Sequence, residues 1–374
     1  MDLGFTPAER AFRAQVGDAF AAPAMRQALA VARSGARDPR PVYRVLGERG
    51  LLAPNWPSEL GGRGRTLVEA GCVIEQLTAH DVADLLWVIS VLTVGNLLLT
   101  VGPAGRHEKL LTGMARGERY ACVMFTEPGA GSDLAAVTST GRPCADGLVL
   151  AGRKVHGIAT RYADYGLCLV RTGEGGSRYT GLTLVLVPMR APGVQVTPVS
   201  AVGPDDFHEV TMDDVVVPAD AVVGPMGGAW PVLEGALALE RCGLDYYAKA
   251  ARWYLCASDL AQDAGVRPRE DVRIDLSRFA ARLRAAGLMA YRQLARIDRG
   301  QTDPAGASAA KWFASELAAD IAAWIPERLG QPDTDPAGQG APYWEGPGLR
   351  MSGGTAEMLL ETIASEALEA PRLA

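Results

Sequence analysis

The chain has 374 residues, 48% apolar and 21% charged, enough for two or three domains sharing a well-buried interior. A net charge of -6 and the lack of a Lys/Arg cluster argue against nucleic acid, whose phosphates need a basic track. The six cysteines (Cys72, Cys122, Cys144, Cys168, Cys242, Cys256) form no CxxC pair and the four histidines (His80, His107, His156, His208) lie far apart. The expectation is free thiols in a reducing cytoplasm and no metal site.

In chain order, MDLGFTPAERAFRAQV reads as a capped amphipathic helix, with Thr6 before Pro7 and Glu9. LVEAGCVIEQLTA and HEKLLTGMARG are helical, separated by the turn-rich NWPSELGGRGR. Leu85 to Gly102 approaches the length of a membrane span. It contains Ser90, Thr93, Asn96 and two glycines without a Lys/Arg flank, so a buried core helix is expected and no membrane partner. From Tyr120 to Met226 the pattern turns to strands: LVLAGRKV, YGLCLVRT, TGLTLVLVPM, GVQVTPV and EVTMDDVVV are short, Val-rich and bounded by Gly, Pro or Asp. From Gly227 helices return, broken by GVRPRED and by QPDTDPAGQGAPYWEGPG, a Pro/Gly-rich loop. The order is α+β, with a helical domain at 1–119, a β domain at 120–226 and a helical domain at 227–374.

Thr126 to Asp133 read TEPGAGSD, a strand end feeding a turn whose two glycines let backbone N–H groups converge on an anionic or carbonyl-rich ligand. This segment resembles the signature of the acyl-CoA dehydrogenase family. The resemblance continues through GLVLAGRKV, Ala163-Asp164, LVRT, VTMDDVVVPADAVVG, ALERCG, SGGTAEM and IASEAL, and covers nearly the whole chain in order. It implies an N-terminal helical domain, a β-barrel-like middle domain and a C-terminal four-helix bundle with FAD between them. The implied activity is α,β-dehydrogenation of an acyl thioester on CoA or a carrier protein, with electrons passed to an electron-transfer flavoprotein or a similar acceptor. By position, Phe125 and Thr126 would lie against the flavin, with His156, Ile158, Thr355 and Glu357 also at the cofactor. Ser132 would approach the pyrophosphate or the pantetheine arm.

The reaction needs a base for the α-proton. Many relatives carry a Glu before the Gly-Thr of the C-terminal motif, but here that place is Gly353, in Ser352-Gly353-Gly354-Thr355; its backbone N–H remains a donor for the thioester oxygen. A second branch of the family places the Glu on the first long C-terminal helix, which points to Glu240, followed by Arg241. Arg241 and Gly354 are then expected on the substrate side. Trp230, Leu233, Leu237, Glu240, Leu244, Tyr247, Ala251 and Tyr254 follow 3/4 spacing, which sets Glu240 in the apolar stripe of one helix and raises its pKa. A structural Glu paired with Arg stays open, and Glu345, in the Pro/Gly loop, and Glu357 are weaker candidates.

Three departures from the family pattern stand out. Trp-Ile-Thr is replaced by His156-Gly157-Ile158. The Arg-x-Phe-Gly turn has no counterpart in QDAGVRPREDVRID, where Arg267 or Arg269 could stand in, and LGQPDTDPAGQG replaces a Gly-Gly-x-Gly loop. Both missing elements act across subunit interfaces in the family, so a hetero-oligomer with a complementing partner is expected beside the homo-oligomer. Members that work on steroid side chains resemble this arrangement. A flavin-poor, non-catalytic subunit and a flavin monooxygenase on the same fold remain alternatives.

Overall fold

A computed structural model describes residues 4–34, 37–102, 105–173, 176–202, 206–330 and 341–368. The first helix, Pro7–Ala21, starts at a reciprocal cap: Thr6 Oγ1 accepts from Glu9 N at 3.2 Å and Glu9 Oε2 accepts from Thr6 N at 2.6 Å. Helices Pro23–Ala32, Arg40–Glu48, Leu67–Ala79 and Glu108–Ala115 pack around residues 85–100. That apolar stretch is wholly buried from Val88 to Gly95, where it winds as a π-helix. The Asn96 side chain turns back to bond Val91 O and Leu92 O, and Gly95 lies against the Trp56 indole, where any side chain would collide. Among the described residues no helix is long and apolar enough to cross a membrane.

The middle region is one sheet of β1 (Ala121–Met124), β2 (Thr140–Cys144), β3 (Gly147–Ile158), β4 (Tyr165–Arg171), β5 (Leu182–Pro188), β6 (Val194–Val199), β7 (Phe207–Pro218) and β8 (Val222–Val223). Its order is β6-β7-β3-β2-β4-β5-β8, and β1 lies parallel to β4. Leu148, Leu150, Cys168, Val185, Val187, Val215 and Val217 fill the inner face. The long β3–β7 ladder slips between Lys154 and Gly157, a bulge at the edge of the site.

Helices Leu244–Asp263, Glu270–Ile297, Pro304–Leu329 and Ala356–Ala367 form the C-terminal layer, and the first three meet through small residues such as Ala250, Ala257, Ala286, Ala314 and Ala318. Two sequence expectations change here. The helix holding Glu240 spans Trp230–Glu240 and stops; a second begins at Leu244. The hinge is Gly243, whose φ is +81° and whose missing side chain lets the backbone of Ala310 and Lys311 approach. APYWEGPGL is helical, not a loop: Pro342 sits in its first turn, and Gly346 packs against Ala322 on the facing helix. The segment 331–340, most of the expected adenosine-end loop, lies outside the described residues. All six cysteines are free thiols, with Cys144 exposed.

Candidate active site

The site is built on two glycine turns. The first follows β1. Glu127 and Ala130 exchange backbone hydrogen bonds at 3.1 and 3.0 Å, closing a tight turn beneath Pro128 and Gly129. The Lys154 ammonium, 2% exposed, donates to Glu127 Oε1 at 2.7 Å, to Leu169 O at 2.6 Å and to Phe125 O at 3.3 Å. Glu127 also accepts from Thr138 N, Thr138 Oγ1 and Ser139 N, and these donors with Lys154 hold its carboxyl down to about 2 against its burial. Thr126 O is taken by Val155 N at 2.9 Å. The carbonyls of residues 125 to 127 are thus all committed inward. The amides of Gly129, Gly131 and Ser132 have no partner among the described residues. Space above the turn is open: nothing lies within 4 Å of a Cβ built on Gly129, and only the Thr126 methyl, at 3.9 Å, approaches one on Gly131. A turn with outward amides under open space fits the phosphate-bearing, carbonyl-rich FAD.

Ser132 is exposed on this turn, and neighbouring Asp133 pairs with Arg178. Ile158 is half-buried at the end of β3, paired with Phe207 just past the bulge. His156 takes no shielded packing place there. It is exposed, at φ +58°, with its ring edge-on to Phe207 at 6.3 Å. Histidine tolerates this left-handed conformation better than most residues, which accounts for its standing at the bulge.

The second turn is Ser352-Gly353-Gly354-Thr355. Gly353 and Gly354 have φ of +63° and +101°, and the amides of Gly353, Gly354 and Thr355 are uncommitted among the described residues. A Cβ on Gly353 would lie 3.5 Å from Glu240 Oε1 and 2.6 Å from Tyr246 Oη; one on Gly354 would lie 3.4 Å from Arg241 Nε. The fold therefore brings Glu240, Arg241, Gly353 and Gly354 together. Glu240 is half-buried at the C-terminal end of its helix and makes no hydrogen bond or ion pair among the described residues. Burial pushes its carboxyl up, opposed by the charges of Arg241 and Lys311. The negative end of the helix dipole acts in the same direction as burial. Arg241 Nε is buried without a hydrogen-bond partner.

Thr355 caps Ala356–Ala367 by accepting from Met358 N at 3.3 Å. Glu357 is exposed, its carboxyl held down by its own backbone N–H and the Thr355 hydroxyl. Glu345 is ion-paired to Lys249. Phe125 and Ala130 share one apolar cluster with Leu233, Ala236 and Cys242, so the first turn and the Glu240 helix rest on a common core. No hydrogen bond or ion pair joins Ser132, His156 or Glu357 to Glu240 among the described residues. Sequence reasoning misses Lys154, Glu127, Tyr246 and Lys311. The alternation that buries Leu148, Leu150 and Lys154 on β3 is the signal that could have found the first. A cavity of about 960 Å³ between Arg40, Arg44, Tyr162, Arg190 and His208 lies apart from these residues.

Three family descriptions match in succession: acyl-CoA dehydrogenase N-terminal domain at residues 6–118, middle domain at 122–215 and C-terminal domain at 230–368. The chain belongs to the acyl-CoA dehydrogenase family, whose members are FAD-dependent oxidoreductases acting on CH–CH bonds. It is 29% identical to the acyl-CoA dehydrogenase FadE26 of Mycobacterium tuberculosis, over 100% of this chain and 99% of that protein. It is 35% identical to FadE34 of the same organism over 54% of this chain but only 28% of FadE34, and its match to IpdE1 likewise spans 51% of that relative. Among solved structures, the Tcur3481-Tcur3483 steroid ACAD superposes with a TM-score of 0.87 at 28% identity, covering 100% of both chains. The ChsE4-ChsE5 complex from Mycobacterium tuberculosis gives 0.85 at 26% identity, again over 100% of both chains.

Proposed function

We propose that this chain carries out FAD-dependent α,β-dehydrogenation of an acyl-CoA, with Glu240 as the base that removes the α-proton. The observation that carries the reading is the unpaired, half-buried Glu240 carboxylate with Oε1 3.5 Å from a Cβ position on Gly353. The Gly353 N–H would donate a hydrogen bond to the thioester oxygen and so acidify the α-carbon. Arg241, beside Gly354 with Nε unpartnered, would steady the charge that Glu240 carries before it takes the proton. On the other side, the amides of Gly129, Gly131 and Ser132, with Thr126, Ile158 and Thr355, would hold the cofactor. When bound, FAD supplies the acceptor for the β-hydride. A carboxylate raised by burial becomes neutral on taking the proton, which its surroundings favour.

Similarity to the Tcur3481-Tcur3483 steroid ACAD and to the ChsE4-ChsE5 complex supports a bulky, steroid-bearing acyl-CoA and a two-chain assembly. The two stand-ins for the missing interface Arg are exposed, Arg269 beside Asp271 at 2.8 Å and Arg267 3.5 Å from Gln262, and no aromatic-Gly pair follows either. That favours a partner chain completing the flavin site. We read the domains as 1–119, 120–226 and 227–374, the setting as cytoplasmic, and the electron acceptor as an electron-transfer flavoprotein or similar.

The test is a spectrum of the chain purified alone and co-expressed with its partner, followed by anaerobic addition of acyl-CoA. Flavin bleaching that disappears in Glu240→Gln, with flavin retained, is the expected result. Near-normal bleaching in that variant removes Glu240 from the role. The exposed His156 and the hydroxyl-free Ile158 at the expected ring position favour one second reading, a flavin-poor partner subunit. A colourless chain that activates its partner would support it.

A further inference from the structure

We propose that Tyr246, braced by Lys311, is a positioning residue that aims the Gly353 amide at the thioester oxygen; this rests on the dehydrogenase reading above. A trans peptide points its C=O and N–H in opposite directions, so whatever fixes the Ser352 carbonyl also fixes the Gly353 N–H. Tyr246 Oη donates to Ser352 O at 3.1 Å and lies 3.2 Å from Ser352 Oγ, which can donate back. The hydroxyl is wedged directly behind Gly353, 2.6 Å from where a Cβ would stand. Tyr246 is 5% exposed, and burial keeps it a neutral donor.

Lys311, 0% exposed, secures the same turn from below. Its ammonium donates to Gly354 O at 2.9 Å and Leu349 O at 3.0 Å, and stands 4.7 Å over the Tyr246 ring. The carbonyls of Ser352 and Gly354 are therefore both tied into the protein. The amides of residues 353 to 355 are left without partners among the described residues, and Glu240 Oε1 lies 3.5 Å from the Cβ position on Gly353. Tyr246 touches no reacting atom in this arrangement; it acts through Gly353.

The test compares Tyr246→Phe with the parent, both in a Glu240→Gln background so that no turnover intrudes. Two probes are used, octanoyl-CoA and the carbonyl-free thioether octyl-CoA. The parent should prefer the thioester, and Tyr246→Phe should lose up to about tenfold of that preference while binding the thioether as before, the scale of one hydrogen bond in a ground-state complex. Lys311→Met should move the ratio in the same direction. Hydrogen exchange at Ser352 and Ala356, whose amides bond Gly348 O and Arg350 O, should quicken in Tyr246→Phe without ligand. Unchanged exchange, or a full thioester preference in Tyr246→Phe, overturns the positioning role alone. A parent that binds neither CoA probe overturns the dehydrogenase reading and the proposal with it.

Discussion

Replacing Lys154 by Met tests how the first glycine turn is held. Lys154 and Glu127 are 2% and 4% exposed at the side chain and lie 2.7 Å apart. Removing the ammonium strands a buried carboxylate, a loss of about 3–5 kcal/mol in comparable buried pairs. The titration of Glu127 sets a related scale, which Lys154 shares with the Thr138 and Ser139 donors. The Glu127 carboxyl falls from 4.5 to about 2 on folding, and at about 1.4 kcal/mol for each pH unit this is worth about 3 kcal/mol. Because the folded pKa is depressed, that stability is present above pH 4.5 and lost as pH falls through about 2. In Lys154→Met the buried carboxylate loses its ion pair and keeps only the Thr138 and Ser139 donors, so its pKa rises and the penalty fades as pH falls. Urea midpoints of parent and variant between pH 4 and 8 check this, and the gap should be widest at neutral pH and close on acidification. Glu127→Gln/Lys154→Met should recover most of the loss, since a neutral pair of similar volume is tolerated. A Lys154→Met gap under about 1 kcal/mol at pH 7, or one that does not change with pH, refutes the reasoning.

Glu240→Gln should reduce α-proton exchange with deuterated solvent by about a hundredfold or more, the scale of a lost general base. In the parent, the acid limb of kcat/KM should lie above pH 4.5 because burial raises this carboxyl; a limb at the ordinary carboxylate value would contradict that burial. Asp245 is 6% exposed and pushed from 3.8 to about 7 by burial and by Asp84. The folded chain thus holds an extra proton, and stability should fall as pH climbs through that window. Asp245→Asn should flatten the fall, measured by urea titration from pH 4 to 8, by up to about 4 kcal/mol at neutral pH. Gly353→Ala puts a Cβ at φ +63° and 2.6 Å from Tyr246 Oη. It should destabilise by about 1–3 kcal/mol and weaken thioester binding more than thioether binding.

Much of the architecture is legible because its residues announce themselves. Val-rich runs between Gly, Pro and Asp give the strands, and Thr6 with Glu9 gives the first cap. The helix break at Gly243 is invisible to 3/4 spacing: a left-handed glycine interrupts the backbone without disturbing the apolar count. What demands it is the close approach of Ala310, nearly seventy positions away. The helix at Ala341–Leu349 is hidden by its Pro and Gly content, which reads as a loop until Pro342 is seen in the first turn and Gly346 against Ala322. Within the site, Glu240 comes into view through family resemblance and its place in the apolar spacing and Gly353 through resemblance, while the 112 intervening residues carry no local signal of their meeting. Lys311 defeats the usual expectation that lysine lies outside, and its partners are backbone carbonyls, which have no letter in a sequence.

Those carbonyls give the two turns a common logic. At each, a buried lysine consumes main-chain oxygens: Phe125 and Leu169 for Lys154, Leu349 and Gly354 for Lys311. A trans peptide whose oxygen is held inside points its N–H the other way, as at Phe125–Thr126 and Gly354–Thr355, and a ligand can meet donors made from backbone there. The lysines differ in one respect. Lys154 is neutralised by Glu127 at 2.7 Å, while Lys311 has no carboxylate in contact among the described residues and burial lowers it to about 8. The charges of Lys311 and Arg241 therefore act on Glu240 from beside the second turn. They favour the ionised carboxylate, and any negative charge on a thioester oxygen at Gly353, while burial opposes ionisation. A base at this position is held between the two tendencies, ionised enough to take a proton and desolvated enough to keep it.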